Sequence, residues 1–421
     1  MMMYLLPRIQ TKIYKSIQVN FSPEIDTSPV ISNSLSYYLN DIKKQISVYE
    51  KDWDTYKKYT NPYEYIHTNI PNKKHGISKY KPISRAYFKM IELINTFNIG
   101  IDSSHPIRSF HLAEGPGGFI EAVAKLRMCR EDSYIGMTLL DTTNYTNNDS
   151  HIPGWKKTDS FLREFKNVKI ENGIDGTGNI LSFNNFVYIH ETYGSSMDLI
   201  TADGGFDFSD DFENQELNMV PLIYGQIIYA LCMQKQGGCF VLKIFDIFMQ
   251  QTVDMMALLS SMYQQVYITK PNTSRYANSE KYIVCKGFIP ISSFHLYPYL
   301  YNSFQDLCRN INNKQSKVEF ISSLLKGETS SIFISKLEEY NIIFGQQQIE
   351  NIHTTLMLLL SEKYGGEYNN YNNGYHHNDN IKPYRNRDNH IHSNIRKIVK
   401  NNIQKCIQWC IKHKNEYNYD V

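Results

Sequence analysis

The chain has 421 residues, 42% of them hydrophobic, a globular composition long enough for two or three domains and a sizeable core. Its 44 lysines and arginines against 42 acidic residues leave a net charge of +2, which excludes a globally basic nucleic-acid binder and confines any such surface to a local patch. The seven cysteines (Cys129, Cys232, Cys239, Cys285, Cys308, Cys406 and Cys410) are odd in number and scattered, with no C-x-x-C pair, which argues against a disulfide framework and reads as reduced thiols in a cytosolic setting.

Taken in order, "MMMYLLPRIQ" lacks the basic start and long apolar centre of a secretory signal. Residues 1–75 read as a helical extension, carried by "LSYYLNDIKKQISVYEKDWDTYKKY", whose apolar residues recur at three- and four-residue steps. Residues 76–291 then alternate strands and helices. The helices are "AYFKMIELINTF", "GGFIEAVAKLR", "QELNMVPLIYGQIIYALCMQK" and "TVDMMALLSSMY". The strands are "IRSFHLAE", "SYIGMTLL", "MDLITADGG", "GGCFVLKIFD", "QVYITKP" and "EKYIVCKGF". Strands separated by helices predict an α/β fold, a Rossmann-like open sheet covered on both faces. The last two strands are joined without a helix, so that pair is expected to be antiparallel. The apolar stretch "VPLIYGQIIYALCM" is broken by Gly225 and Gln226 and is short of the ~20 residues of a bilayer span, so no membrane partner is expected.

Residues 292–363 are read as a helical region, and 364–393 as a low-complexity linker too polar to build a core. Residues 394–421 form a basic amphipathic helix, with Ser393 as a cap and Ile395, Ile398, Val399, Ile403, Ile407 and Ile411 along one side. Its basic face suits an auxiliary RNA contact or a partner protein, and its apolar side suits packing on its own domain. Cys406 and Cys410 stand one turn apart, but with no second pair no metal is expected.

"HLAEGPGGFIEAVAK" sets a glycine turn between a strand and a helix. It lacks the lysine and Ser/Thr of a P-loop, and "EGPGGF" is a poor match to G-x-G-x-x-G. Such a turn lets a ligand lie against bare backbone over a helix N-terminus, and a carboxylate would suit it as well as a phosphate. Glu114 adds a charge that repels pyrophosphate and suits an amino or sulfonium group; S-adenosylmethionine carries both. The turn alone leaves the ligand open. Three later strand ends carry charge, the place where open α/β sheets bind ligands: Asp203 in "ITADGGF", Lys243 amid apolar residues in "FVLKIFD", and Glu280 before the last strand.

With these residues in place, "SRAYFKM", "EGPGGF", "TADGGF", "LKIFD" and "KPNTSRYANSEKYIVCKGF" resemble the successive motifs of the FtsJ-like ribose 2′-O-methyltransferases, particularly the cap-specific messenger RNA branch of eukaryotes and large DNA viruses. "NPYEYIHT" and "GIDGTGNI" resemble further segments of the cap enzymes, and the likeness covers about residues 60–290. It implies a catalytic tetrad of Lys89, Asp203, Lys243 and Glu280, with Lys243 handling the proton of the 2′-hydroxyl. Lysine ordinarily titrates near 10.4, so a base at ~7.5 would need about 4 kcal/mol of differential stabilisation; orienting the hydroxyl is the alternative role.

The likeness also implies S-adenosylmethionine as cofactor. Ser84, Glu114, Gly115, Pro116, Gly117, Gly118, Phe119 and Asp203 would surround its amino-acid end, with Asn179 and Ile180 at the adenine. Cap enzymes commonly have Asp where Asn179 stands, although its side-chain oxygen can still accept a hydrogen bond. Asp141 would reach the ribose or cap a turn. Asn214, Gln215, Ser274, Arg275 and Glu280 fall on the RNA side, with Tyr63 and Tyr65 as candidates to stack on the cap. The implied partner is the capped 5′ end of mRNA, with other capping or transcription proteins reached through the C-terminal helix. Composition and likeness together suggest a viral protein working in host cytoplasm or a virion, with the nucleus left open. Two alternatives stay open: the same chemistry on ribosomal or transfer RNA, and a noncatalytic RNA-binding subunit that keeps the fold.

Overall fold

A computed structural model describes residues 2–100, 105–140, 154–205, 214–289, 291–312, 319–364 and 387–419, and the chain divides into two compact units. The first comprises Met1–Ser36, Pro82–Pro271 and Glu280–Ile342. The second comprises Tyr37–Lys81, Asn272–Ser279 and Ile343–Val421.

The first unit is built on an eight-stranded sheet of order β1-β8-β9-β7-β6-β3-β4-β5. Its strands are β1 (Met3–Leu5), β3 (Arg108–Leu112), β4 (Ser133–Met137), β5 (Val168–Glu171), β6 (Met197–Ala202), β7 (Gln234–Ile244), β8 (Tyr263–Thr269) and β9 (Lys281–Phe288). The five strands β5, β4, β3, β6 and β7 run parallel. Strand β9 lies antiparallel between β7 and β8, as expected for the last pair. The parallel strands read as near-continuous apolar runs because helices cover them. These are α3 (Ala86–Phe97), α4 (Gly118–Arg127), α5 (Asp159–Glu164), α6 (Phe183–Tyr193), α7 (Gln215–Met233), α8 (Gln250–Met262) and α9 (Ser293–Asn312). Phe110, Leu112, Phe240, Leu242 and Val284 are completely buried at the sheet centre. Helix α7 is long and apolar enough to cross a membrane, and 83% of that stretch is buried inside the fold.

Several elements depart from the sequence reading. The first residues are not wholly helical: β1 pairs with β8, Met3 opposite Thr269, because an open sheet edge accepts even three residues. Strand β2 (Ile17–Ser22) pairs antiparallel with β10 (Phe320–Leu325), so the region after 292 is not purely helical either. The single predicted helix divides at Tyr49 into α1 (Asn33–Val48) and α2 (Glu50–Thr60), since Tyr49 sits at φ −120°, ψ 23°, outside helical values. Strand β5 and helix α6 lie in stretches that the sequence reading assigns to no element. Helix α11 (Arg387–Lys412) starts inside the segment read as linker, and α10 (Ser331–Tyr364) is one long helix. All seven cysteines are free thiols.

The second unit packs α2, a 3-10 turn at Glu64–Ile66, the end of α10 and α11. Cys406, Trp409 and Cys410 of α11 are buried, and Asn402 Nδ2 donates to the Tyr59 carbonyl at 2.7 Å. Among the described residues no group of three metal-ligating side chains exists.

Candidate active site

Four charged side chains meet at the carboxyl end of the sheet. Lys89 comes from the first turn of α3, Asp203 follows β6, Lys243 is the penultimate residue of β7, and Glu280 precedes β9. Lys243 pairs across the sheet with Tyr282, which puts both side chains on one face. Lys89 Nζ donates to Glu280 Oε2 at 2.7 Å. Lys243 Nζ donates to the Asp203 carbonyl at 2.6 Å and lies 3.3 Å from Asp203 Oδ1. The two ion pairs hold two ammonium groups beside two carboxylates, all largely withdrawn from solvent.

Burial shapes the protonation of this cluster. It pushes the Lys89 ammonium below its ordinary range, against the pull of Glu280 and Asp203. Burial alone would raise Glu280, but Lys89, Lys243 and Lys270 outweigh it and hold the carboxyl below the usual carboxylate range. Glu280 is therefore an anion. The Cβ that an alanine would carry at position 205 would sit 3.1 Å from Lys243 Nζ, so Gly205 leaves the ammonium the room it occupies.

Two residues that sequence reasoning missed complete the cluster. Tyr282, fully buried, donates its hydroxyl to Asp203 Oδ1 at 2.9 Å. Lys270 Nζ donates to the Glu280 carbonyl at 2.7 Å. Both were detectable: Tyr282 stands two positions after Glu280 at strand period, and Lys270 follows an apolar run as Lys243 does. Lys281 and Asp246 form a further buried pair at 2.9 Å.

The glycine turn follows β3. Gly117 adopts φ +116°, a conformation that favours glycine. At Gly118 a Cβ would meet Ser84 Oγ at 2.2 Å, so this glycine lets α3 and α4 approach and brings Ser84 onto the turn. Glu114 Oε1 accepts from the backbone N–H groups of Phe119 at 2.7 Å and Ile120 at 2.9 Å. The carboxylate thus occupies the helix N-terminus where a phosphate would bind. Its other oxygen, Oε2, is buried with no partner, and burial pushes the carboxyl up to about 8, opposed in part by those backbone donors. Gly115 accepts no bulk: a Cβ there would meet the Gly154 carbonyl and Thr138 Oγ1, each at 2.8 Å. Pro116 completes the turn, and the Phe119 side chain is buried against Tyr282.

Asn179 spends its side-chain oxygen within the protein, accepting from the Leu181 N–H at 2.9 Å. Beside it opens a cavity of about 470 Å³ lined by Leu139, Leu140, Thr177 and Ser182, at the ends of β4 and β5. Ile180 is buried in the core. A second groove of about 370 Å³, lined by Ile25, Val30, Pro221 and Phe320, contains none of the tetrad. Asp141 lies outside the described residues. Asn214 is the residue before α7 and Gln215 its first residue.

Ser274 and Arg275 belong to the second unit. Ser274 is fully buried, and Arg275 forks onto buried Glu64, with Nη2 2.6 Å from Oε1 and Nε 3.0 Å from Oε2. Tyr65 is buried in the same unit, so its ring is not available to stack on a ligand, while Tyr63 is partly exposed.

The profile of the FtsJ-like methyltransferases matches residues 82–288. A cap-specific mRNA (nucleoside-2′-O-)-methyltransferase 2 from Danio rerio is 30% identical over 263 residues, 61% of this chain and 34% of the relative. A cap-specific mRNA (nucleoside-2′-O-)-methyltransferase 1 from Trypanosoma brucei brucei is 33% identical over 192 residues, 45% of this chain and 50% of the relative. Among solved structures, human methyltransferase-like protein 13 in complex with SAH matches at 9% identity and a TM-score of 0.31, covering 53% of this chain and 90% of that one. The chain spans between a third and a half of the length of those two curated relatives. The match takes in Lys89, Asp203, Lys243, Glu280 and the whole glycine turn, and residues 82–288, just under half of the chain, are an FtsJ-like methyltransferase domain.

Proposed function

We propose that this chain transfers a methyl group from S-adenosylmethionine to a ribose 2′-hydroxyl of RNA close to the 5′ cap. The observation that carries the reading is the convergence of Lys89, Asp203, Lys243 and Glu280 at one end of the sheet, as two buried ion pairs.

The donor fits the glycine turn. Glu114 fills the helix N-terminus with its own carboxyl group and keeps one buried oxygen without a partner; an ammonium group meeting that oxygen favours the ionised form, and a phosphate finds the N-terminus taken. Gly115 to Gly118 offer backbone, Ser84 adds a hydroxyl, and the cavity beside Asn179 suits the adenine. Because its side-chain oxygen is taken by Leu181, and its backbone N–H and carbonyl by Thr177, Ser182 and Asn185, Asn179 would use its amide N–H groups. S-adenosylmethionine, when bound, supplies a methyl group on a cationic sulfur, which keeps the electron pair of the broken bond.

Lys243 orients the 2′-hydroxyl and, as the neutral amine, takes its proton when the oxygen–methyl bond forms; the ammonium so produced is held by Asp203, which Tyr282 fixes in turn. Lys89 and Glu280 brace the opposite side. The remaining work is alignment of oxygen, methyl carbon and sulfur, an orientation effect. Asn214 and Gln215 are assigned to RNA, with the buried Ser274 and with Arg275 in supporting roles, Arg275 through Glu64. The names of the curated relatives support the cap as the site of reaction. The same reading takes the chain as a large-DNA-virus protein acting in host cytoplasm, on its composition and its "NPYEYIHT" and "GIDGTGNI" segments.

Labelled donor and short capped or uncapped RNA test the proposal. Digestion of the capped product should yield a labelled 2′-O-methylated nucleoside next to the cap. Label on a base, or equal label in both RNAs, would overturn it.

A further inference from the structure

The near-neutral charge of the chain conceals a division. The first unit holds 24 lysines and arginines against 30 acidic residues, and the second holds 20 against 12. Within the second unit no acidic residue occurs from Asn389 to Asn415, a stretch that covers almost all of α11.

The side chains of that helix sort sharply. Arg396, Lys397, Lys400, Lys405 and Lys412 are exposed, with Asn401, Gln404 and Gln408 exposed among them. At 100° per residue these positions fall within about 180° of the helix, along about 24 Å of its length. Among the described residues none of the five cations has an ion-pair partner. The opposite side is already used: Cys406, Trp409 and Cys410 are buried, and Asn402 is tied to Tyr59. A basic amphipathic helix can also lie on a membrane, but that requires a free apolar face, and this one is spent on packing. What stays exposed is a track of cations and amides, with Ile411 the one exposed apolar side chain within it among the described residues.

We infer that the outward face of α11 binds the phosphate backbone of single-stranded RNA. Cations on one helix face interleaved with neutral hydrogen-bond donors suit a chain of phosphates and carry no demand on base sequence. Tyr419 of the same unit offers a ring for base stacking: it is 77% exposed, and Lys79 sits 5.3 Å from its ring centre. This inference rests on the reading that the substrate is RNA, and it adds a second RNA contact beyond the residues assigned to the reacting ribose.

The test is binding of the full chain to a short, labelled, uncapped single-stranded RNA across a salt series, with no methyl donor present. Each phosphate neutralised contributes about 0.7 to the slope of log affinity against log salt, so five contacts give a slope of about −3.5. Replacing Arg396, Lys397, Lys400 and Lys405 together by Gln should weaken binding at least about tenfold at low salt and bring the slope to about −0.7. Lys405→Gln with Lys412→Gln should remove about 1.4 of the slope, and it covers the case in which the fourfold variant fails to fold. Replacing the four lysines Lys397, Lys400, Lys405 and Lys412 by Arg should preserve both affinity and slope. Unchanged affinity and slope in the Gln variants would overturn the inference. So would competition by polyglutamate as strong as that by unlabelled RNA of equal charge, which would assign the face to an acidic protein. Failure of methyl transfer would count against the catalytic reading and leave this measurement untouched.

Discussion

Glu114 shows how one side chain discriminates between ligands. In the sequence it is an acid before a glycine turn; in the fold it caps α4 and leaves Oε2 buried without a partner. Its carboxyl is pushed up to about 8 by burial, whereas the unfolded chain titrates near the ordinary value of about 4.3. The folded state therefore binds the proton more tightly, so the associated stability is full below about pH 4 and is lost as pH rises through about 8. We predict that the melting temperature of the donor-free protein falls from pH 5 to pH 8 and falls less in Glu114→Gln. Parallel melting curves with equal slopes would contradict this. Tyr282 is a positioning residue, since it touches Asp203 and no reacting atom. A hydrogen bond to a charged group is worth about 1.5–3 kcal/mol, so Tyr282→Phe should lower kcat by about 10- to 100-fold while leaving the donor KM nearly unchanged. A change confined to KM would assign Tyr282 to donor binding instead.

At the scale of elements, two glycines have different duties. Gly118 sits where α3 and α4 touch, and an alanine there would drive a Cβ into Ser84 Oγ and to 3.0 Å of the Tyr87 backbone nitrogen. Gly118→Ala should cost about 1–3 kcal/mol through overpacking, seen as a melting midpoint lower by several degrees. Gly205 faces the end of the flexible Lys243 side chain most closely, with Phe245 Cζ at an ordinary 3.8 Å. Gly205→Ala should leave the melting midpoint almost unchanged and reduce methyl transfer, because it displaces the ammonium. The parallel core of the sheet was legible in the sequence since long apolar strands alternate with periodic helices. Other elements carried no local signal. Strand β1 has three residues, none of them buried, and β2 meets β10 across some 300 positions. Strand β5 shows mostly exposed or half-buried residues at the sheet edge, so no apolar run marks it.

At the scale of the whole molecule, composition misled where position informs. A net charge of +2 decides nothing by itself, yet the chain divides into an acidic catalytic unit and a basic second unit assembled from three separated segments. No pattern within any one segment announces that assembly. The tetrad was legible because its four residues lie in separate, ordered motifs, each at a strand end or helix turn that the alternation of elements predicts. Tyr282 and Lys270 left only a positional signal, strand period after Glu280 and a lysine ending an apolar run, because their roles depend on cross-strand pairing and on the backbone of Glu280. The central claim is that Lys243 acts on the ribose hydroxyl within this cluster. Methyl transfer from labelled donor to capped RNA, by the parent protein and by Lys243→Ala, tests it most directly, with donor affinity measured on both. The account predicts a rate lower by about 10²–10⁴-fold at nearly unchanged donor affinity. Equal transfer with and without the lysine would contradict it.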